Sequence, residues 1–403
     1  MLNTDILIAG AGIVGLSVAR EIAARYPDIT ITILEKEPTL ARHASGRNSG
    51  VLHAGFYYSP DSLKAKFVVD GNRLLTQYCL ENGLSINRCG KVVVAKNENE
   101  IESLYELKRR GDSNGVAIEI VDEAGLSELE PNAKTVEKAL YSPSTSTIIP
   151  SEVVECIGSS LMKKKNVRIL FNERLLKRNG SASITTNSQK ITFSHLINTA
   201  GLYADKVAHE FGAGMKYSLI PFKGLYLEYE SPDLIRKHIY PVPDIDNPFL
   251  GMHFTKSADG HVKAGPTAIP AFWRENYSGL SNFSLSEALE ILPVEAKLFA
   301  HNSFNFRKIA FEELRKYYRK NFISLASRLV KTIDERKFGR WLTPGIRAQL
   351  YNRKQCRLEM DFVVEEAENS THVLNAVSPA FTCAFSFSRF VADEVEKRLN
   401  KKR

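Results

Sequence analysis

The feature that most constrains this chain is a run of residues near its start. Residues 5–9, DILIA, are uninterrupted and apolar after Asp5, which suits a buried strand of a parallel sheet. GAGIVG follows, with Gly10, Gly12 and Gly15 in G-x-G-x-x-G spacing. Val14, Val18 and Ile22 then recur at helical spacing, which predicts a helix over residues 13–26. A second apolar stretch, ITITIL over residues 29–34, runs into Glu35. Each part has a physical task. Gly10 allows a tight turn, Gly12 lets backbone approach a pyrophosphate at the positive end of the helix, and Gly15 lets helix and strand pack closely. Ala11 and Ile13 line the same turn. Glu35, about twenty residues past Gly15, accepts hydrogen bonds from an adenosine ribose. Strand, glycines, helix, strand and acid in this order make a dinucleotide-binding unit, and an acid at this position fits FAD or NAD.

A later segment favours the longer ligand. In HLINTAGLYADKVAHEFG, residues 195–212, a short apolar strand runs into Thr199, Ala200 and Gly201 and then into a helix. Small residues at a strand end let a second length of backbone pass close to a ligand. Two such approaches suit an extended FAD. The chain has 403 residues, 43% hydrophobic and 25% charged, enough for a large core and two intertwined domains. Its net charge of +8 is spread out, apart from Lys163, Lys164, Lys165 and the basic residues of 397–403. Such charge suits a solvated surface, an anionic substrate or an anionic membrane face. No nucleic-acid module is present, so nucleic acid is set aside. Five scattered cysteines without C-x-x-C spacing argue for a reducing compartment and against a zinc site; no metal is expected. No apolar run reaches the roughly 18 residues of a spanning helix. The expected location is the cytoplasm, with peripheral attachment to the inner face of the cell membrane as an option.

The segment HASGRNSGVLHAGFYY, residues 43–58, is a poor strand and a poor helix. It belongs with other blocks: CGKVVVAKN (89–97), PFKGLYLEYE (221–230), IYPVPDIDNPFLGMHFT (239–255), GPTAIPAFWRENY (265–277), GIRAQL (345–350) and HVLNAVSPAFT (372–382). Together these span nearly the whole chain. On them the sequence resembles the FAD-dependent L-2-hydroxyglutarate dehydrogenase/oxidase family, within the D-amino-acid-oxidase-like superfamily of flavoproteins. The resemblance implies an α/β fold, a Rossmann-like FAD-binding domain with an inserted, mainly antiparallel α+β substrate domain. The expected bounds are 1–80, 148–214 and 341–403 for the FAD-binding domain, and 81–147 and 215–340 for the substrate or cap domain. Residues 285–340 read as helical, either a packed cap or a membrane-surface or quinone-access face.

The resemblance also implies site roles. Ser45, Asn48, Ser49, Gly50 and Val51 wrap the flavin, with Lys36, Arg42, His43 and Leu175 in the same cofactor set. Ser378, Pro379, Ala380, Phe381 and Thr382 bring backbone N–H groups to the flavin's pyrimidine end, where negative charge grows on reduction. FAD is expected to be non-covalent. The implied reaction moves hydride from C2 of L-2-hydroxyglutarate to flavin N5, giving 2-oxoglutarate, while a base takes the hydroxyl proton. A histidine suits that base because its ordinary pKa is near neutrality. His53 and His253 are equal candidates. A dianionic substrate needs cations, for which Arg347 ranks first, Lys223 second and Arg47 third; Tyr57, Tyr58 and Tyr240 add hydroxyl donors. Electrons pass to a membrane quinone, or to oxygen. The competing readings are oxidation of an amino acid or glycerol 3-phosphate, and a non-catalytic flavoprotein. Lys223, Thr267 and Phe381 depart from the residues common in relatives, which bears on substrate fit. Nothing in the sequence sets an oligomeric state.

Overall fold

The computed structural model describes residues 2–244 and 251–400. The chain forms two compact units and passes between them four times. The first comprises Met1–Asn48, Pro150–Pro221 and Arg347–Arg403; the second comprises Ser49–Ile149 and Phe222–Ile346.

In the first unit the strand Leu2–Ala9 lies between Lys190–Asn198 and Ile31–Leu34, parallel to both. Val167–Leu170 and Ser370–Val373 extend the parallel sheet on either side. Parallel strands are covered on both faces, which is why Ile6, Leu7, Ile8, Ile31 and Ile33 are all apolar and buried. The helix Ile13–Arg25 buries Val14, Val18 and Ile22, the stripe its periodicity predicts. It ends one residue short of the expected 26, where Tyr26 caps it. The long helix Ala380–Asn400 packs on it. Arg25 reaches Asp393 at 2.6 Å, and the Arg20 guanidinium sits 4.5 Å over the Phe385 ring.

The second unit is built on an eight-stranded sheet. Its order is Phe338–Trp341, Leu227–Tyr229, Val262–Gly265, His253–Lys256, His238–Pro241, Lys91–Val94, Lys138–Ser142 and Glu119–Asp122. Neighbours are antiparallel except His238–Pro241 and Lys91–Val94, which run parallel. One face packs Val92, Val94, Leu227, Ile239 and Phe254 against Phe322, Ile323 and Ala326 of the helix Arg319–Ser327. Strand side chains alternate faces. Lys91, Val93, Tyr240 and His253 therefore share the other one.

The first segment of the first unit ends at Asn48, not near residue 80. The reason is local. Asn72 of the helix Leu63–Glu81 donates its amide to the carbonyls of Leu52 and His53, both at 3.1 Å, and of Ser144 at 3.3 Å. Gly55 abuts Val68 of that helix so closely that an added Cβ would meet it at 2.6 Å. Residues 285–340 are helical only in part. Helices Leu285–His301, Phe306–Arg315 and Arg319–Ser327 are followed by the strand Phe338–Trp341. Among the described residues no helix is long and apolar enough to cross a membrane.

Candidate active site

The glycine turn opens between two strand ends. Gly10 adopts φ +106°, which a residue with a Cβ rarely takes. A Cβ on Gly15 would lie 2.1 Å from the Gly10 carbonyl and 2.6 Å from the Thr199 hydroxyl. Thr199 follows the strand Lys190–Asn198, and its hydroxyl donates to the Ala9 and Gly10 carbonyls at 3.1 and 3.0 Å. The two predicted close approaches thus converge on one turn. Gly12 precedes the helix in extended conformation, offers no side-chain cap, and no acid stands in the first turn. A Cβ there would meet Ser45 Oγ at 2.9 Å, the same oxygen that accepts the Ile13 N–H at 2.9 Å. A helix N-terminus with no cap from its own N-cap residue, above a glycine cradle, fits a pyrophosphate.

The strand Ile31–Leu34 delivers Glu35 beside this turn. Its carboxylate accepts from Ala11 N–H at 3.2 Å and Glu37 N–H at 3.0 Å, and burial raises its pKa. Leu175 packs partly buried against the cluster that holds Leu34. Burial would raise the Glu37 carboxyl, but Lys36 and His43 bond to it and hold it at about 2. Those two expected cofactor residues are therefore paired with an acid. Arg42 is exposed. Asn48 ties the loop to the Ala44 and Ser45 carbonyls at 3.0 and 3.1 Å. Ser49 Oγ accepts from Val51 N–H at 3.3 Å, and Val51–Leu52 pairs with Thr147 and Ser146. Ala380, Phe381 and Thr382 form the first turn of Ala380–Asn400, the positive end of a long helix, with Ser378 and Pro379 just before it.

The second unit gathers a different set. Pairing of Ile239 with Phe254 sets Tyr240 beside His253, whose ring stacks on it at 3.7 Å and 15°. Pairing of His238 with Lys91 sets that lysine on the same face. The Lys91 ammonium lies 4.0 Å over the Tyr240 ring, 5.0 Å from Tyr57 and 5.6 Å from Phe56. Lys91 is fully buried and its amine has no hydrogen-bond partner among the described residues. Burial lowers its pKa to about 7. Lys263, on the strand Val262–Gly265 that pairs with that of His253, stands 5.1 Å over Tyr226 and is lowered to about 8, again chiefly by burial. Neither forms an ion pair among the described residues. The Tyr57 hydroxyl is likewise buried without a partner there, and burial raises its pKa.

This surrounding fixes the state of His253. Its Nδ1 faces the Gly251 carbonyl at 2.8 Å, so Nδ1 carries the proton and Nε2 is left as acceptor. Burial first, then Lys91, Lys263 and Lys316, push its pKa down to about 3. His238 is also lowered by burial and Lys91, and stays neutral between Lys256 N–H and Cys89. His53 is buried at the end of Val51–Leu52, its backbone held by Asn72.

Of the other expected substrate residues, Lys223 is buried and donates to Asn276 at 3.3 Å, with its pKa lowered by burial. Thr267 braces it: the hydroxyl donates to the Lys223 carbonyl and accepts from Leu225 N–H, both at 2.9 Å. Two of the departures from relatives are thus coupled to each other. Tyr58 lies 5.9 Å from the Lys64 ammonium, Asn114 binds its carbonyl, and its phenol is near enough to Tyr57 and Tyr240 to help raise the pKa of both. Arg47 and Arg347 are half-buried and belong to the first unit. Residues 245–250 of the resemblance block lie outside the described residues. Sequence reading missed Lys91, His238 and Lys263. Lys91 had a signal, a lone charge opening the apolar run KVVVA.

The model of the family described as FAD dependent oxidoreductase matches residues 5–394. The chain belongs to that family. It is an FAD-dependent oxidoreductase, and the grip described above is where its residues fit the cofactor. The L-2-hydroxyglutarate dehydrogenases of Nematostella vectensis and Homo sapiens, both mitochondrial, are each 35% identical over 98% of this chain, covering 91% and 89% of their own lengths. The L-2-hydroxyglutarate dehydrogenase of Escherichia coli K12 is 34% identical over 98% of this chain and 94% of its own. Among solved structures, the L-alpha-glycerophosphate oxidase of Mycoplasma pneumoniae with FAD bound superposes with a TM-score of 0.77 at 22% identity, covering 98% of this chain and 95% of that one. Glycine oxidase from Geobacillus kaustophilus gives 0.72 at 16% identity, with the same coverage of both chains. The fold is that of these flavoenzymes, a parallel Rossmann-like sheet together with antiparallel sheets.

Proposed function

We propose that this oxidoreductase converts L-2-hydroxyglutarate to 2-oxoglutarate and passes the electrons to a membrane quinone rather than to oxygen. The relatives named above support the substrate. The observation that carries the reading is the face bearing Lys91, Lys263, Tyr240 and His253, two cations with no acid paired to them among the described residues. Such a face attracts a dianion, and in an apolar setting each charge counts for more than in water. Lys223, Arg347 and Arg47 are the further cations assigned to the carboxylates.

When bound, FAD accepts the hydride that leaves C2. The protein must take the hydroxyl proton and hold it. His253 is a poor place for it, because burial and three lysines disfavour its cation. We therefore assign the base to His53, and to His253 a neutral imidazole that orients substrate through Nε2. Asn72 fixes the backbone on which His53 rides, so the base is positioned from outside the reaction.

The test is an anaerobic titration of the purified protein with L-2-hydroxyglutarate, following the visible flavin band, with the D-enantiomer and glycerol 3-phosphate as controls. Bleaching by the L-acid alone is expected. Bound flavin that none of the three bleaches sinks the proposal. Reoxidation by a soluble quinone, faster than by air, is expected for the acceptor.

A further inference from the structure

Lysines are almost never fully buried unless they are paired. In the second unit Lys223 and Lys316 are buried, and each has an acceptor, the Asn276 side-chain oxygen and the Glu313 carboxylate. Lys91 is buried more completely, at 0% exposure, and its amine has no hydrogen-bond partner among the described residues. Strand register accounts for this. Ser142, Lys91, His238, Thr255 and Lys263 fall in one row across the sheet. The neighbours of Lys91 in that row are already engaged. Ser142 bonds to Thr145 at 3.0 Å. His238 takes the Lys256 N–H on Nδ1 at 3.1 Å, so its Nε2 carries the proton and faces Cys89 Sγ at 3.4 Å. The ammonium turns to aromatic rings instead, 4.0 Å over Tyr240, with Tyr57 at 5.0 Å and Phe56 at 5.6 Å. Ring faces attract the charge but supply no lone pair to its N–H groups.

A second donor stands at the same box. The Tyr57 ring packs on Phe56 at 4.2 Å, and its hydroxyl is buried with no partner among the described residues. Burial, then the neighbouring Tyr240 and Tyr58, raise its pKa, so it stays protonated and can donate. Two buried donors without an acceptor call for an oxyanion. In a 2-hydroxy diacid the oxyanions are its two carboxylates. Tyr240 decides between them. Its strand lies between those of Lys91 and His253. His253 stacks on its ring from one strand, and Lys91 reaches it from the other. With His253 orienting the reacting end of the substrate, Lys91 meets the far end.

We infer that Lys91 and Tyr57 bind the substrate carboxylate remote from the carbon that is oxidised, and so select diacids over acids with an apolar tail. The aromatic box would receive such a tail readily. The ammonium and the phenol would then stay buried and unpaired, which is how a site built for a hydrogen-bonding group rejects an analogue that lacks it. The inference rests on the proposed function for the identity of the acid and the place of its reacting end; preference for a diacid does not depend on that reading.

The test compares glutarate with pentanoate, which differ by one carboxylate and lack the hydroxyl that is oxidised. Binding of each to the FAD-bound protein is measured by calorimetry. The wild type should prefer glutarate by about 10²–10³-fold. Lys91→Met replaces the ammonium with an apolar group and should bring that ratio below about 10, while Tyr57→Phe should lower it by about tenfold. Both variants should keep their flavin content. In anaerobic stopped flow, Lys91→Met should shift kcat/KM toward L-2-hydroxypentanoate and away from L-2-hydroxyglutarate by at least about 10³-fold. A Lys91→Met protein that binds both acids as the wild type does, or that weakens both alike, overturns the inference and leaves Lys91 a strut of the sheet. So does a wild type without a preference for glutarate, or a ratio that collapses in Lys263→Met but not in Lys91→Met. A wild type that prefers glutarate yet is not bleached by L-2-hydroxyglutarate loses the proposed function and keeps this inference.

Discussion

The glycine turn of the first unit and the sheet face of the second both offer positive charge, by opposite means. In the turn the charge is backbone: amide N–H groups at the end of a helix, with the nearby Lys36 and His43 side chains already bonded to Glu37. On the sheet face it is side-chain ammonium, Lys91 and Lys263, with no acid paired to either among the described residues. Backbone charge neither titrates nor moves. A buried lysine does titrate, and it is maintained against its own desolvation. The first device suits a cofactor that stays bound; the second suits a substrate that must come and go.

The comparison can be broken most severely at Gly15. Gly15→Val drives a Cβ into backbone only 2.1 Å away. The protein should lose FAD and at least about 3 kcal/mol of stability, read from the visible-to-ultraviolet absorbance ratio and a denaturant melt. His53→Ala should leave flavin content intact and slow flavin reduction by about 10²–10⁴-fold in stopped flow. Equal loss from His253→Ala alone would reverse the assignment of the base.

Lys91→Met sharpens the contrast because its effects on stability and function have opposite signs. The ordinary lysine value is 10.5 and burial lowers it to about 7. Between those values the unfolded chain binds the extra proton, so stability rises with pH. Below about 7 both states are protonated and the full penalty, on the order of 5 kcal/mol, is present. Lys91→Met should therefore stabilise the protein most at pH 6 and least near pH 10, while raising KM for the dianion. A gain independent of pH would show that Lys91 is not desolvated. Arg347→Ala should raise KM by about 10–100-fold from a lost charge-assisted bond with little change in FAD content. Smallest is Thr267→Val, which strips partners from the Lys223 carbonyl and Leu225 N–H at a cost of about 1–3 kcal/mol, visible as a shifted melt.

What was legible in the sequence follows the same division. The turn is written in nearly consecutive residues, and Gly10, Gly12, Gly15 and Glu35 are spaced by local geometry. Thr199 was found because a small residue at a strand end is itself a local signal. The sheet face depends on register. Nothing near Lys91 says that His238–Pro241 will run parallel beside it, so its neighbourhood with Tyr240 and His253 was invisible. The helix Leu63–Glu81 shows an apolar stripe in sequence but not which unit that stripe will join. Asn72, whose amide decides the matter through three carbonyls, reads as an ordinary polar residue. Residues 285–340 gave helices correctly as far as Ser327. That the outer side of Leu285–His301 stays bare is a property of packing, not of pattern.

The chain's fourfold passage between units has a consequence for its synthesis. The first helix, Ile13–Arg25, packs on Ala380–Asn400, and the Arg25–Asp393 bond spans 368 residues. At about 5–20 residues per second on the ribosome, the helix waits roughly 20–70 s for its partner. During that time the FAD grip has its glycines but lacks one of its walls. The nascent chain should thus be a client of chaperones for most of its translation, and cofactor loading a late event, however early the fingerprint leaves the exit tunnel.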